Sequence, residues 1–220
     1  TVVCGDDSFA TEDGTYFEMD ADGRITEVLY HLHTPRGYRG LDVFILSKKL
    51  LCELVDECSA HDQFSWRREL QARKNTLNLR GYVWNGFAAQ IRSVQEYYDR
   101  SMQLLDPAIR KELFTPERPI RAKGADKPST YIGSAGHCVN SLVADGCRIE
   151  GSVENSVLFP GVVVEKGAQV RNCVLFKETS VGENARLSYI IADKEVQILP
   201  GRTLMGHGTY PLVLAKGSVV

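Results

Sequence analysis

The stretch LFPGVVVEKGAQVRNCVLFKETSVGENARL, from Leu158 to Leu187, lies over itself without a gap at a spacing of 17 residues. Leu158 falls on Leu175, Val164 on Val181 and Val170 on Leu187. Continued in both directions, the spacing gives a column of Ser141, Leu158, Leu175 and Ala192. Further along each copy stand Cys147, Val164, Val181 and Ile198, and beyond them Val153, Val170, Leu187 and Leu204. Almost all of these are small or aliphatic. One residue before each copy stand Asn140, Val157, Val174 and Ile191. A last column of Glu150, Gly167, Asn184 and Gly201 is rich in the residues that tolerate a left-handed backbone, which marks a corner. Three short strands per coil, joined by tight corners, satisfy this pattern. A single coil cannot bury its own apolar edge, so the coils must stack. A wound α/β sheet would need a helix between successive parallel strands, and the spacing leaves no room for one. The spacing predicts a parallel β-helix over about 131–220.

The residues before it have a different texture. TYFEMD, ADG and RITEVLYHL (Thr15 to Leu32) read as strand, turn and strand. GLDVFILS (Gly40–Ser47) reads as a short buried strand. KKLLCELVDEC places Leu50, Leu51, Leu54 and Val55 on one helical face, a second helix is expected over about 62–73, and NTLNLRGYVWNGF returns to strand character. SVQE, beginning at Ser93, is a capping box: the Ser93 hydroxyl accepts from the Glu96 amide, and the Glu96 carboxylate reaches back to the Ser93 amide. The helix it opens runs through YYDRSMQLLD and stops before Pro107. TPERPIRAKGADKPSTY (Thr115–Tyr131) carries Pro116, Pro119 and Pro128 and reads as an extended linker. The fold class expected is therefore α/β plus all-β. Residues 1–114 form the later part of an α/β domain, 115–130 the Pro-rich linker and 131–220 the β-helix.

Composition narrows the function. The 220 residues are 43% hydrophobic and 25% charged, with a formal net charge of -2, so no electrostatic footprint for a nucleic acid or an anionic membrane is present. No apolar run nears the ~20 residues that span a bilayer, and TVVCGDDSFA lacks the basic and apolar regions of a signal peptide. The expected location is the cytoplasm. Cys4, Cys52, Cys58, Cys138, Cys147 and Cys173 form no C-x-x-C pair and suit reduced thiols better than disulfides or a zinc site. Cys147, in an apolar column, reads as a small buried residue. The chain starts at Thr1 rather than Met, which is expected of a fragment or a processed product.

Stacked prisms of this kind resemble the hexapeptide-repeat proteins, whose β-helices are left-handed. One large class within them is acyltransferases with a histidine base. The other is sugar-nucleotide pyrophosphorylases, where the prism follows a nucleotidyltransferase domain and serves assembly and regulation. A general base has to reach the proton it removes inside a cleft. His137 lies at the entry to the first coil and His207 after the last, in GHGTY, so an exposed or capping role suits both better than catalysis.

GYVWNGFAAQIRSVQEYYDRSMQLLDP, the linker and NSLVADGCRIEGSVENSVLFPGVVVEKGAQVRNCVL together resemble the C-terminal part of ADP-glucose pyrophosphorylase (glucose-1-phosphate adenylyltransferase). In that family a GYW.DIGT strand precedes a YYEAN..LL helix, a Pro-rich connection and the coils. The resemblance covers nearly the whole chain and is strongest from Tyr97 onward. It implies the reaction of ATP with glucose 1-phosphate to give ADP-glucose and pyrophosphate with Mg2+, in glycogen synthesis. Three departures bear on the sugar pocket. The family's EKP, whose lysine contacts the sugar phosphate, falls on Tyr30, His31 and Leu32, and histidine is a poor phosphate clamp at pH 7. Its SMG strand falls on Gly40, Leu41 and Asp42, which puts a carboxylate where the family has glycine. Its DIGT acid falls on Gln90, a neutral amide where a hard cation needs charge.

The resemblance therefore implies the non-catalytic type of subunit known from glycogen-synthesising Gram-positive bacteria. No catalytic residue is expected in this chain, and Tyr30, His31, Asp42 and Gln90 line a degenerate sugar-phosphate pocket. The partner implied is a catalytic subunit, in a homo- or hetero-oligomer, a tetramer by family likeness. Arg118, Arg121 and Lys123 are candidates for a sugar-phosphate effector, since guanidinium groups suit phosphate. The family's GxGxRLxPLT nucleotide loop is expected to precede Thr1, so no cofactor is assigned to this chain and Mg2+ belongs to the complete family enzyme. His31-x-His33 places two imidazoles on one strand face without an obvious third ligand, so no metal is expected. Tyr97 and Tyr98 are expected to pack rather than to bind a base. Two rival readings stay open: a hexapeptide acyltransferase with an unusual N-terminal domain, and an assembly scaffold without a ligand.

Overall fold

The computed structural model describes residues 1–5, 14–30, 36–60, 65–121 and 126–220. The chain forms two compact units, Thr1–Gln90 and Ile91–Val220.

The first unit is a five-stranded sheet with helices. Its strands are β1 (Val2–Gly5), β2 (Thr15–Met19), β3 (Ile25–Tyr30), β4 (Tyr38–Phe44) and β5 (Gly81–Val83), in the order β3-β2-β4-β1-β5. Only β1 and β5 run parallel; the other pairs are antiparallel. β2 and β3 are the expected hairpin, closed by a turn whose Asp20 carboxylate accepts from the amides of Asp22 and Arg24 at 3.0 and 2.9 Å. Val2, Cys4, Phe17, Ile25, Val28, Leu70 and Leu79 form the core. The helices are α1 (Lys48–Ala60) and α2 (Trp66–Ala72).

α1 is the helix expected there, and of Leu50, Leu51, Leu54 and Val55 only Leu54 is buried, while Leu51 and Val55 are 39% and 48% exposed. One expectation fails here: GLDVFILS is not a buried strand, since β4 ends at Phe44 and Val43 and Ile45 are 51% and 65% exposed. Side chains alternate across a strand, so a sheet with its core on one side leaves every second residue on the other. An apolar run alone does not reveal which of its residues will be exposed.

The second unit begins with α3 (Val94–Gln103) and α4 (Pro107–Leu113). These helices, expected with the α/β portion, group with the prism. The Ser93 Oγ accepts from the Glu96 amide at 3.1 Å, as a capping box requires. The Glu96 carboxylate, however, accepts from the Arg92 amide at 2.7 Å, one residue earlier than expected. That backbone bond, aided by the Arg92 guanidinium, holds the Glu96 carboxyl below its ordinary range. α3 lies on the prism through Tyr97 and Tyr98. The Tyr98 hydroxyl donates to the Asn172 carbonyl at 2.9 Å, and burial pushes this phenol upward. The Tyr97 ring stacks on Phe176 at 6.0 Å, and Phe176 on Phe159 at 4.7 Å.

From β6 (Tyr131–Ile132) to β20 (Leu212–Leu214) the chain winds as a parallel β-helix of three five-stranded sheets. In register inside the prism stand Cys138, Val153, Val170, Leu187 and Leu204 on one sheet. Val143, Leu158, Leu175, Ala192 and Leu214 line the second. Ile132, Ile149, Val164, Val181 and Ile198 line the third. Corners at Gly167, Asn184 and Gly201 have φ of 74°, 58° and 70°, as the sequence pattern requires.

The constant step of 17 breaks in the first coil. Val143, not Ser141, pairs with Leu158; Ile149, not Cys147, pairs with Val164; and Leu142, not Asn140, pairs with Val157. Glu150 lies outside the left-handed corner column, because the corner between Ile149 and Val153 is two residues shorter than those above it. Gly151 makes the short corner fit: a Cβ there would lie 2.5 Å from the Ala168 carbonyl oxygen and 2.7 Å from that of Glu165. Cys147 is buried in the core beside the column rather than within it.

All six cysteines are free. Burial pushes the Cys173 thiol up to about 12 and that of Cys4 to about 11.

Stability and thiol reactivity both test this packing. Gly151→Ala should cost about 1–3 kcal/mol by overpacking against backbone, and Leu175→Ala about 2–5 kcal/mol through its cavity, both read from urea unfolding. At pH 8 a thiol reagent should label exposed Cys52 in the native protein, while Cys4 and Cys173 react only after denaturant is added, because their thiolates form far above that pH.

Candidate functional site

The first unit carries a cavity of about 310 Å³ lined by Val3, Arg39, Leu41, Val43, Trp84, Ala88, Ala89 and Gln90. Its shape comes from an irregularity in β4. Val3 pairs with Val43 and the next residue, Cys4, with Gly40, so Leu41 and Asp42 are extra residues bulged from the ladder. Bulges re-aim side chains and favour a left-handed residue. Asp42 takes that conformation with φ of 58°. Aspartate is one of the few non-glycine residues that visits it readily, so the position assigned to the family's glycine keeps a glycine-like backbone while carrying a carboxylate.

The bulge brings Asp42 to Gln90. The Gln90 Nε2 donates to the Asp42 Oδ2 at 2.7 Å, and its Oε1 accepts from the Arg39 Nη2. A side-chain amide has one donor end and one acceptor end, so it can bridge a carboxylate and a guanidinium. A carboxylate at position 90 would set two anions face to face. Arg39 is 5% exposed, so its charge is held in a largely dry setting where each polar contact counts. Trp84 closes another side of the cavity, its Nε1 donating to the Phe87 carbonyl at 3.2 Å.

The residues expected to form the sugar pocket are thus only partly assembled. Asp42 and Gln90 are hydrogen-bonded partners. Tyr30 ends β3, paired in register with Thr15, and is not among the cavity's lining residues. His31 and His33 lie outside the described residues. Arg39 and Trp84 were not anticipated. Arg39 precedes a run that reads as apolar strand, and nothing in its neighbours marks its guanidinium as buried. Of the ligands that Mg2+ would need, the described residues of this site supply one carboxylate, already accepting from Gln90. Among the described residues no group of three or more His, Cys, Asp or Glu side chains could hold a metal ion. These described residues do not by themselves fit a hard cation, which takes several oxygen ligands.

Arg118 and Arg121 are exposed beyond α4, and Lys123 lies outside the described residues. His137 and His207 are both exposed on the prism. The Nδ1 of His207 is 2.9 Å from the Thr209 hydroxyl. No helix among the described residues is long and apolar enough to cross a membrane.

Residues 127–208 match the family model described as GlmU-like, C-terminal hexapeptide. The chain is 37% identical over 181 residues to the glycogen biosynthesis protein GlgD of Bacillus subtilis, covering 82% of this chain and 53% of that protein. GlgD of Geobacillus stearothermophilus gives the same identity and coverage. Glucose-1-phosphate adenylyltransferase of Acetivibrio thermocellus is 34% identical over 154 residues, 70% of this chain and 36% of the relative. The chain therefore spans about half the length, or less, of these curated relatives.

The bulge can be tested by substitution. Asp42→Asn keeps both the tolerance for a left-handed backbone and a partner for Gln90, and should leave the melting temperature nearly unchanged. Asp42→Ala puts a residue without such tolerance at positive φ, removes the partner of Gln90 and should destabilise by roughly 1–2 kcal/mol, measured by denaturant unfolding of the two variants side by side.

Proposed function

Because the chain is related to the glucose-1-phosphate adenylyltransferases and to GlgD, we propose that it is the regulatory or assembly portion of an enzyme that makes ADP-glucose for glycogen synthesis. The observation that carries this reading is the Gln90 amide held between Asp42 and Arg39. By resemblance this position is where the catalytic subunits place a metal-binding acid. Here a neutral group bridges two charges, the Asp42 carboxylate and the Arg39 guanidinium. Such a site offers a metal-dependent transfer of a nucleotidyl group no cation to neutralise the phosphates. Tyr30 and His31 at the position of the phosphate-contacting lysine fit the same degeneracy.

The proposed partner is a catalytic subunit of the same family, in a cytoplasmic hetero-oligomer of tetrameric size. The proposed effector is a sugar phosphate, held by Arg118, Arg121 and Lys123, whose charges suit phosphate oxygens. The stacked prism supports an assembly role: it is the rigid, repetitive part of the chain, and solenoid surfaces present extended faces to partners. Its two histidines are exposed, which gives the acyltransferase reading no cleft base to rest on.

Mixing tests this directly. Titrating the chain into a catalytic glucose-1-phosphate adenylyltransferase subunit should change the rate of pyrophosphate release, or its response to sugar-phosphate activators, up to a fixed stoichiometry. Arg118→Ala with Arg121→Ala should blunt the activator response while leaving association intact. A rate and activator response unaffected at every ratio would defeat the proposal.

A further inference from the structure

The outer face of one prism sheet carries an apolar column, with Leu142, Val157, Val174, Ile191 and Val213 in register from coil to coil. α3 packs on this face, where Tyr98, Val174 and Ile191 form one buried cluster with Tyr97 and Phe176 against it. The helix does not cover the end of the column. Val174 and Ile191 are buried, but Val213 is 48% exposed. At the start of the helix, Ile91 and Val94 are 58% and 52% exposed. Ile91, Val94, Ile191 and Val213 line an open cleft of about 640 Å³. Its shape is fixed by hydrogen bonds. The Gln95 Nε2 donates to the Gly208 carbonyl at 2.8 Å, which ties the first turn of α3 to the last coil. Ile190 pairs with Leu212, so that coil is five residues longer than the repeat, and the extra length is extruded around Gly206–Tyr210.

A second column gives the cleft its charge. Phe159, Phe176 and Asp193 occupy the same place in successive coils, their amides donating to the carbonyls of Leu175, Ala192 and Leu214 at 2.9, 2.9 and 3.0 Å. Two rings thus give way to a carboxylate where the column reaches the cleft, which Tyr97, Phe176 and Asp193 also line. The Asp193 Oδ1 accepts from the Lys194 amide at 2.7 Å, closing its own turn. An asparagine or serine would make that bond equally well, so the turn does not account for the charge. Arg92, the cation at the cleft, is committed to the Glu96 carboxylate at 3.2 Å. Lys177 and Lys194, which follow Phe176 and Asp193, are exposed and lie outside the lining, and no ion pair among the described residues reaches Asp193. The charge left in the cleft is therefore negative. Burial and, to a lesser degree, the Asp193 carboxylate push the Tyr97 phenol upward, so this ring stays neutral beside it. Aromatic rings attract a cation to their faces through their quadrupole. A cleft of this size with aliphatic walls and few polar groups has the make-up of a small-molecule site.

We propose that this cleft binds a small organic cation, an ammonium group on an aliphatic stem, with Asp193 as its counter-ion. The carboxylate receives the ammonium beside the Tyr97 and Phe176 rings, and Ile91, Val94 and Val213 cover the stem. All of these residues belong to the compact unit Ile91–Val220. The site takes a cation, which separates it from the phosphate site proposed at Arg118 and Arg121. Its test reads binding and not catalysis, so it and the subunit role proposed above can fail independently.

The experiment titrates the full chain at pH 7 with three probes of equal length, hexylamine, hexan-1-ol and hexanoate, by calorimetry and by methyl NMR. Hexylamine, present as its ammonium ion, should bind saturably at one site and shift the methyl resonances of Ile91, Val94 and Val213. Hexan-1-ol should bind roughly tenfold more weakly or worse, the size of effect expected of one charge-assisted contact, and hexanoate should not bind. Asp193→Asn keeps an oxygen for the Lys194 amide and should weaken hexylamine roughly tenfold while leaving hexan-1-ol unchanged. Val213→Trp fills the cleft from an exposed position and should abolish binding of hexylamine, which serves if Asp193→Asn fails to fold. The absence of saturable binding of hexylamine up to about 10 mM overturns the proposal. Equal affinity for the three probes overturns it too, as does hexylamine binding that neither substitution alters.

Discussion

Each coil of the prism has an inward edge of aliphatic side chains that only the coils above and below can cover. The rest of the β-helix is built to meet this requirement. Because one coil cannot be stable alone, its strands must meet those of the next in register, and inner residues fall into columns such as Leu158, Leu175 and Ala192. Register in turn demands that every corner turn the chain through the same angle in few residues. The left-handed backbone at Gly167, Asn184 and Gly201 does this. A coil can depart from the standard length only where a local device absorbs the change. Gly151 does so in the short first corner, by having no Cβ to strike the coil above. The extruded loop at Gly206–Tyr210 absorbs the opposite change by leaving the prism and re-entering it at Leu212.

The prism also explains why α3 is where it is. The stacked strands leave a flat outer face, and Phe159 and Phe176 repeat on it as neighbouring rings. A helix with tyrosines at successive positions finds there both an aromatic surface and, through Tyr98, a corner carbonyl to bond. The helix belongs to the prism's compact unit for this reason, although its sequence reads as the close of the preceding domain. The cavity of the first unit depends on a different balance. A buried guanidinium and a nearby carboxylate are kept apart and both served by one amide. Replacing Gln90 by an acid would favour cations at the cost of repulsion with Asp42.

Much of the β-helix was legible from residue spacing, because an inner column must be apolar in every coil and a corner must tolerate positive φ. The hairpin of β2 and β3 and the Ser93 cap were legible for similar local reasons, since each is set by residues close in the chain. What spacing could not show was the loss of two residues at Glu150–Gly151. A deletion moves Ser141 and Cys147 out of the columns without changing their composition enough to reveal it. The exposure of Val43 and Ile45 was equally hidden, since both look like core residues in an apolar run that gives no sign of how completely each will be covered.

The candidate site divides along the same line. Asp42 and Gln90 could be singled out from the sequence, because each differs in charge from the residue that the family pattern has at its position. That they touch could not, for the contact requires a bulge in β4 and a return of the chain 48 residues later. Arg39 and Trp84 were invisible for the same reason. A residue's burial, and the partner that makes burial tolerable, belong to segments far apart in the chain. The repeating fold and the neutrality of position 90 are written in the order of the amino acids alone. That this neutral amide is a bridge emerged with the tertiary structure, because hydrogen bonds between distant residues are set by where the backbone brings them and not by their own identities.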